Sequence, residues 1–401
     1  MASGKTRRAL LLGATLAAAS GGRGVAPRGF KMAQQALEDE AAATHSWLRR
    51  ALAPAHLKFA VLVQHHVSLG FDVGRRLGLG CRLRASQRSL PLAYMVSAGN
   101  QAVLGPEDLL EFFADDPAVR AIGLHLEGLQ NIPKFEKAAT KALTNGKPVV
   151  VLKTGSSAIG SNLTVSHTGS LSGSAELYEA LFQRVGIISV TNPSQLLETL
   201  KFLCVVGAPQ GKQVVGFTCS GGGATMLADH AEKIDLIFPE FKTTQETELS
   251  ALLPDIATVS NPLDYTTPIW GQEEMTYPVF AKAISAIEAD TAVLVQDYPA
   301  AEIDSSKVYY RADAMAFARA SKEQGLPAII CATLPENMDL ETRHLLIEKG
   351  VAPMQGIHEA LNAIRDSADW NQARSRILSE KPEYLLPSYP LSLIHISEPT
   401  R

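Results

Sequence analysis

The chain has 401 residues, 46% of them hydrophobic and 19% charged, with a formal net charge of −4. That length predicts about two to three domains, and the composition is that of a globular chain with ample core. The near-neutral charge, with no basic stripe between residues 84 and 375, argues against a nucleic-acid partner. No apolar run reaches the length of a membrane-spanning helix. Cys81, Cys204, Cys219 and Cys331 are scattered, with no CxxC pair and no histidine at metal spacing. They read as buried thiols in a reducing compartment, hence cytoplasmic, and not as a zinc site.

Residues 1–30 have a basic start, an apolar middle and small residues after it, the format of a targeting segment. Residues 31–83 are rich in Arg, Ala, Leu and Gly and show no clean period. From residue 92 strand and helix alternate. Strands are predicted at 92–98, 119–128, 147–155 and 187–190, and helices at 106–116, 132–146, 175–186 and 193–207. In 175–186 the predicted apolar stripe is Leu177, Ala180, Leu181 and Val185. The pattern restarts after 208-APQGK-212. Strands follow at 213–220, 291–298, 327–333 and 351–355, with helices near 224–234, 243–253, 274–287, 308–324, 339–349 and 357–367. Such alternation predicts parallel sheets with helices on both faces.

The most unusual stretch is 161-SNLTVSHTGSLSGS-174, between a strand and a helix. His167 sits among hydroxyls and glycines that offer it little to pack against, so it is either an exposed loop histidine or a reactive one. Glu127 ends a strand whose preceding inward residues are apolar, so it is either solvated there or placed for a task. His125 points to the strand's other side and reads as structural. Ser220, Gly221, Gly222 and Gly223 lie where a strand enters a helix. There, uncovered N–H groups and the helix dipole make an anion site, although a tight turn explains the glycines as well. Gly99 and Asn100 serve equally as a turn, Lys153 as a phosphate contact or a surface lysine, and Asn261 and Asp264 as the ends of a Pro-containing turn.

KPVVVLKTG at 147–155, SHTGSLSGS at 166–174, SGGGATMLADHAE at 220–232 and NPLD at 261–264, together with AYMVSAGNQA at 93–102 and LHLEG at 124–128, resemble the NDP-forming acyl-CoA synthetases. This family includes ADP-forming acetate–CoA ligase and is related to succinyl-CoA synthetase. The resemblance covers roughly residues 84–375 in order. It implies two tandem flavodoxin-like, succinyl-CoA synthetase-like domains with parallel sheets, at 84–207 and 208–375. It implies that His167 is phosphorylated and that Glu127 orients it. Ser220 to Gly223 would bind phosphate, and Gly99, Asn100, Lys153, Asn261 and Asp264 would lie near the substrate.

Acyl-CoA and phosphate would be the small-molecule partners, with coenzyme A a substrate. ADP or ATP and Mg²⁺ would come through an ATP-grasp domain or subunit, and self-association is compatible with the pattern. Residues 1–83 lack the family's glycine-rich turn and are read as unassigned and out of the native frame. Residues 376–401 are read as a linker and an adapter-derived tail, which would make the chain a fragment. A ligand-sensing module of a protein acyltransferase is the alternative reading.

Overall fold

Short apolar runs bounded by turn residues become two parallel five-stranded sheets. The computed structural model describes residues 58–63, 88–97, 105–157, 175–299 and 305–380, all within one unit, His56–Arg401. A second unit, Met1–Ala55, lies outside the described residues. The first sheet holds β1 (Lys58–Val63), β2 (Leu92–Ser97), β3 (Val119–Leu126), β4 (Val149–Lys153) and β5 (Ile188–Val190), in the order β2-β1-β3-β4-β5. The second holds β6 (Val214–Thr218), β7 (Leu263–Asp264), β8 (Thr291–Val295), β9 (Ala328–Ala332) and β10 (Ala352–Gln355), in the order β10-β9-β8-β6-β7. All pairings are parallel. Numbered from its own first strand, each sheet runs 2-1-3-4-5, the flavodoxin order, which reverses between its first and third strands.

Ten helices are described. They are α1 (Pro106–Asp115), α2 (Ile132–Thr144), α3 (Ala175–Arg184), α4 (Pro193–Val205), α5 (Gly221–Lys233), α6 (Thr243–Ser250), α7 (Glu273–Ala286), α8 (Lys307–Glu323), α9 (Leu340–Glu348) and α10 (Ile357–Glu380). Among the described residues no helix is long and apolar enough to cross a membrane. The alternation follows the sequence reading closely, with four differences. β1 lies inside the segment read as unassigned. β7 is only two residues long. α10 continues through residues 376–380, where a linker was expected, and Ile377 is buried there. On α3 the buried residues are Tyr178 and Phe182, while Leu177 is 69% exposed. The two rings bury more area than the aliphatic stripe would; they pack tilted against each other, and Phe182 also packs against Phe135.

α4 joins the halves. It packs on β3 and β4 on one side and on β10 and α10 on the other. Asn192 caps it, accepting from the Gln195 N–H at 2.9 Å, and Pro193 opens it. Leu196, Leu197, Leu200, Phe202 and Leu203 are all buried, as expected for a helix covered on every side. Each such side chain contributes about 1.5–3 kcal/mol. Gly123 of β3 lets α4 approach closely, because a Cβ there would meet Leu200 Cδ1 at 2.5 Å. α10 leans back over the first half, where Arg374 Nε donates to the Leu143 carbonyl at 2.9 Å near the end of α2.

α4 also carries two fully buried charges, Glu198 and Lys201. Glu198 Oε1 accepts from Arg88 Nη1 at 2.7 Å, and its Oε2 accepts from the Gln355 N–H at 2.9 Å. Lys201 Nζ lies 2.9 Å from Glu198 Oε2 and donates to the Arg88 carbonyl at 3.2 Å. Burial lowers the Lys201 pKa to about 8, against the raising influence of Glu198. Arg88 lies just before β2 and Gln355 ends β10, so one carboxylate holds both sheets. Removing one partner of a buried pair strands the other charge. Glu198→Ala is therefore expected to cost about 3–5 kcal/mol in a denaturant melt. A loss below about 1 kcal/mol would show that the network contributes little.

Candidate functional site

Open α/β sheets bind ligands at the carboxyl ends of their strands, beside the point where strand order reverses. In the first sheet that point lies between β1 and β3, and in the second between β6 and β8. Glu127 follows the last residue of β3 and is half-buried. Two side chains fix the segment after it. Glu107, 2% exposed in the first turn of α1, accepts from the Gln130 and Asn131 N–H groups at 3.1 and 2.9 Å. Tyr178 Oη accepts from the Leu129 N–H at 3.0 Å. Neither was singled out from the sequence. The legible signal was a carboxylate at the start of a helix, where the dipole favours it, but nothing local tells which loop it holds.

Lys153 ends β4. Its ammonium donates to the Glu127 carbonyl at 2.9 Å and to the Thr154 carbonyl at 2.5 Å, and lies 4.6 Å from the centroid of the Tyr178 ring. Burial holds its pKa below the usual lysine value, partly offset by the Glu127 charge. Lys153 thus braces the ends of β3 and β4 against each other. His125 Nε2 is 3.3 Å from Thr154 Oγ1, consistent with a structural role on the strand's other face. His167, Gly99 and Asn100 lie outside the described residues.

In the second sheet β6 runs through Cys219 into α5. Ser220 is the extended N-cap, and its side chain makes no capping bond. Its carbonyl accepts from the Gly223 and Ala224 N–H groups at 2.9 and 3.2 Å. Gly221 and Gly222 are exposed at the helix start. Gly223 is buried, and a Cβ there would sit 2.5 Å from Thr218 Oγ1, so only glycine fits. Asp264 ends β7 beside this terminus: its Oδ2 lies 3.6 Å from where a Gly221 Cβ would be, and its Oδ1 accepts from the Thr266 N–H at 2.9 Å.

Asn261 is elsewhere occupied. Its Nδ2 donates to the Val214 and Pro239 carbonyls at 2.9 and 3.0 Å, and its Oδ1 accepts from the Gly216 N–H at 2.9 Å. The side chain stands in for a strand neighbour along β6.

Behind the strand ends lies a buried polar group. Tyr265 donates to Asp313 Oδ2 at 2.9 Å, and the Gly271 N–H donates to Asp313 Oδ1 at 2.9 Å. Burial raises the Asp313 pKa to about 6. Burial, with Asp313 and Asp264 nearby, pushes the Cys219 thiol up to about 11, so it stays protonated and is a poor nucleophile at neutral pH. Gln296, buried just after β8, accepts from Tyr298 Oη at 2.7 Å, and its Nε2 has no hydrogen-bond partner. Among the described residues no group of three or more His, Cys, Asp and Glu could hold a metal ion. Taken together, the strand ends offer a carboxylate on one sheet and an uncovered helix N-terminus on the other.

Comparisons with known proteins bear on the family and the fold. Residues 76–203 match the family described as "Succinyl-CoA ligase like flavodoxin domain". The chain is 33% identical over 197 residues to the alpha subunit of ADP-forming acetate–CoA ligase II of Pyrococcus furiosus, covering 49% of this chain and 43% of that one. It is 29% identical over 206 residues to trans-feruloyl-CoA synthase FCS1 of an unknown prokaryotic organism, covering 51% and 29%. The chain thus spans less than half the length of these relatives. The fold is that of the dinucleotide-forming acetyl-coenzyme A synthetase 1 of Ca. Korarchaeum cryptofilum, solved with phosphate and ADP, with a TM-score of 0.68, 22% identity and coverage of 82% and 68%.

Asn261→Ala is expected to cost at least about 1–3 kcal/mol in thermal or denaturant unfolding, because it orphans the buried Gly216 N–H and two carbonyls. Unchanged stability in that variant would remove the bracing role. Residues 76–203 thus match the succinyl-CoA ligase-like flavodoxin domain, within a chain that is similar over about half its length to a subunit of an ADP-forming acetate–CoA ligase.

Proposed function

We propose that this chain carries the phosphohistidine half of an ADP-forming acid–CoA ligase, which interconverts acyl-CoA, ADP and phosphate with a carboxylic acid, ATP and CoA. The observation that carries the reading is that each sheet presents a candidate group at a strand end beside its own strand-order reversal. β3 delivers Glu127, and β6 delivers the uncovered start of α5 at Gly221 and Gly222. The ligase names of the matched relatives favour this over a sensing module of a protein acyltransferase.

In this reading a phosphate oxygen attacks the thioester carbonyl. The C–S bond breaks and CoA leaves as the thiolate, giving an acyl phosphate. A ring nitrogen of His167 then attacks phosphorus. The P–O bond to the acyl group breaks and the acid leaves as its carboxylate. An oxygen of ADP finally takes the phosphoryl group as the N–P bond breaks. The chain's own residues contribute positioning and charge. Glu127 accepts from the far ring nitrogen of His167 and offsets the charge that develops on the imidazole. The N–H groups at the start of α5 meet the transferring oxygens.

Lys153, Glu107 and Tyr178 keep Glu127 in place, and Asn261 and Asp264 hold the β6–β7 side of the site. In this reading Gly99 and Asn100 contact the acyl group. ADP and Mg²⁺ belong to an ATP-grasp partner, where the metal neutralises charge on the nucleotide. The reading places the reaction in the cytoplasm.

Incubation with radiolabelled acetyl phosphate tests the reading without the partner. The chain is expected to take up acid-labile label. His167→Asn is expected to abolish it, since an amide cannot attack. Glu127→Gln is expected to slow it on the order of 10²-fold with the fold intact by circular dichroism. Label that survives acid, or that persists in His167→Asn, would move the chemistry to a serine and overturn the assignment.

A further inference from the structure

A cavity of about 650 Å³ opens between the two halves at the amino end of α4. Arg88, Ser194 and Leu197 line it from one half, and Met338, Arg343 and Gln355 from the other. In the second sheet its walls follow the carboxyl ends of β9 and β10, away from the strand-order reversal between β6 and β8.

The polar walls favour negative charge. Arg343 is 7% exposed, yet forms no ion pair among the described residues. Its Nε donates to Ser89 Oγ at 3.0 Å and its Nη1 to the Met338 carbonyl, both neutral groups. The Asp339 and Glu198 charges act on it without an ion-pair contact, and a buried guanidinium with no carboxylate at hydrogen-bond distance is stabilised by an anion that reaches it. Arg88 adds a second guanidinium, which keeps N–H groups beyond those given to Glu198 and Ser194.

The acidic groups nearby are largely spent. Glu198 is saturated by Arg88, Lys201 and the Gln355 N–H. Asp339 is held by Lys307 at 2.8 Å and by the Thr342 hydroxyl at 2.6 Å. Glu336 alone remains, exposed at the rim. The amino end of α4, itself capped by Asn192, faces the same space.

We propose that this cavity binds a compact dianion, a phosphate group or a short dicarboxylate, between Arg88 and Arg343. The volume lies within the range of small-molecule sites. Leu197 and Met338 supply an aliphatic wall and, among the described residues, no aromatic ring lines the space, so a short acyclic body fits better than a nucleobase. Because both halves supply walls, the ligand fixes their relative position. Its binding is then linked reciprocally to any reaction that moves one half against the other.

Isothermal titration of the 401-residue chain with inorganic phosphate and, separately, with malonate tests the site. At least one probe is expected to bind with a Kd of roughly 10⁻³ M or tighter. Arg343→Gln is expected to weaken that binding about tenfold or more, with Arg343→Lys recovering part of it. Glu336→Gln, at an exposed position, is expected to strengthen it by about two- to fivefold. The probe that follows this pattern identifies the source of the dianion. Phosphate bound at α5 instead would ignore Arg343 and Glu336 and would not be displaced by malonate. Absence of binding by both probes, or affinities unchanged in a folded Glu336→Gln, would overturn the proposal.

Discussion

The arrangement depends on one buried carboxylate. Glu198 sits at zero exposure in the middle of α4 and is bonded at once to Arg88 before β2 and to the backbone of Gln355 at the end of β10. Lys201, three residues on, is a second cation on the same carboxylate. A buried pair of this kind adds little net stability compared with apolar packing, but it is costly to break. What it contributes is register, because only one seating of α4 satisfies all its partners. The apolar surface of α4 then packs against β3 and β4 on one side and against β10 and α10 on the other. The halves share one hydrophobic cluster through that helix, which runs from Ala121 and Val150 to Val293 and Ile329.

This rigidity matters for a chemistry of positioning. Phosphoryl transfer asks for a nucleophile, charge stabilisation and exclusion of slack more than for covalent participation by many residues. The described strand ends have that character. The segment after Glu127 is held by a buried carboxylate, a tyrosine hydroxyl and a lysine, drawn from α1, α3 and β4. The start of α5 is held by a glycine that nothing larger can replace and by the Ser220 carbonyl. The groups that hold the site outnumber the groups offered for chemistry, as expected where sub-ångström placement controls rate.

Much of the architecture was legible because parallel strands buried on both faces read as continuous apolar runs, and VVVLK, TAVLV and AIICA do so. Helix starts were legible from Pro106 and Pro193. What was hidden depends on tertiary partners. KFAVLV at β1 is too short a run, among neighbours without a period, to be told from a buried helical turn. On α3 the helical period was right but the buried stripe was not, because rings on Tyr178 and Phe182 outweigh Leu177. At the site, glycines and strand ends could be read locally. The backbone partners of Lys153 and Asn261 could not, since all but Thr154 lie 22 to 47 residues away. The cavity beside Arg343 was equally invisible, because its walls come from both halves of the chain.

The central claim is that a nitrogen of this chain accepts a phosphoryl group. ³¹P nuclear magnetic resonance of the protein after treatment with acetyl phosphate tests it most directly. The account expects a protein-bound phosphoramidate resonance, stable in alkali, lost on acidification, and replaced by inorganic phosphate. A protein-bound phosphate-ester resonance that persists through acid, or no protein-bound phosphorus at all in the folded chain, would contradict it.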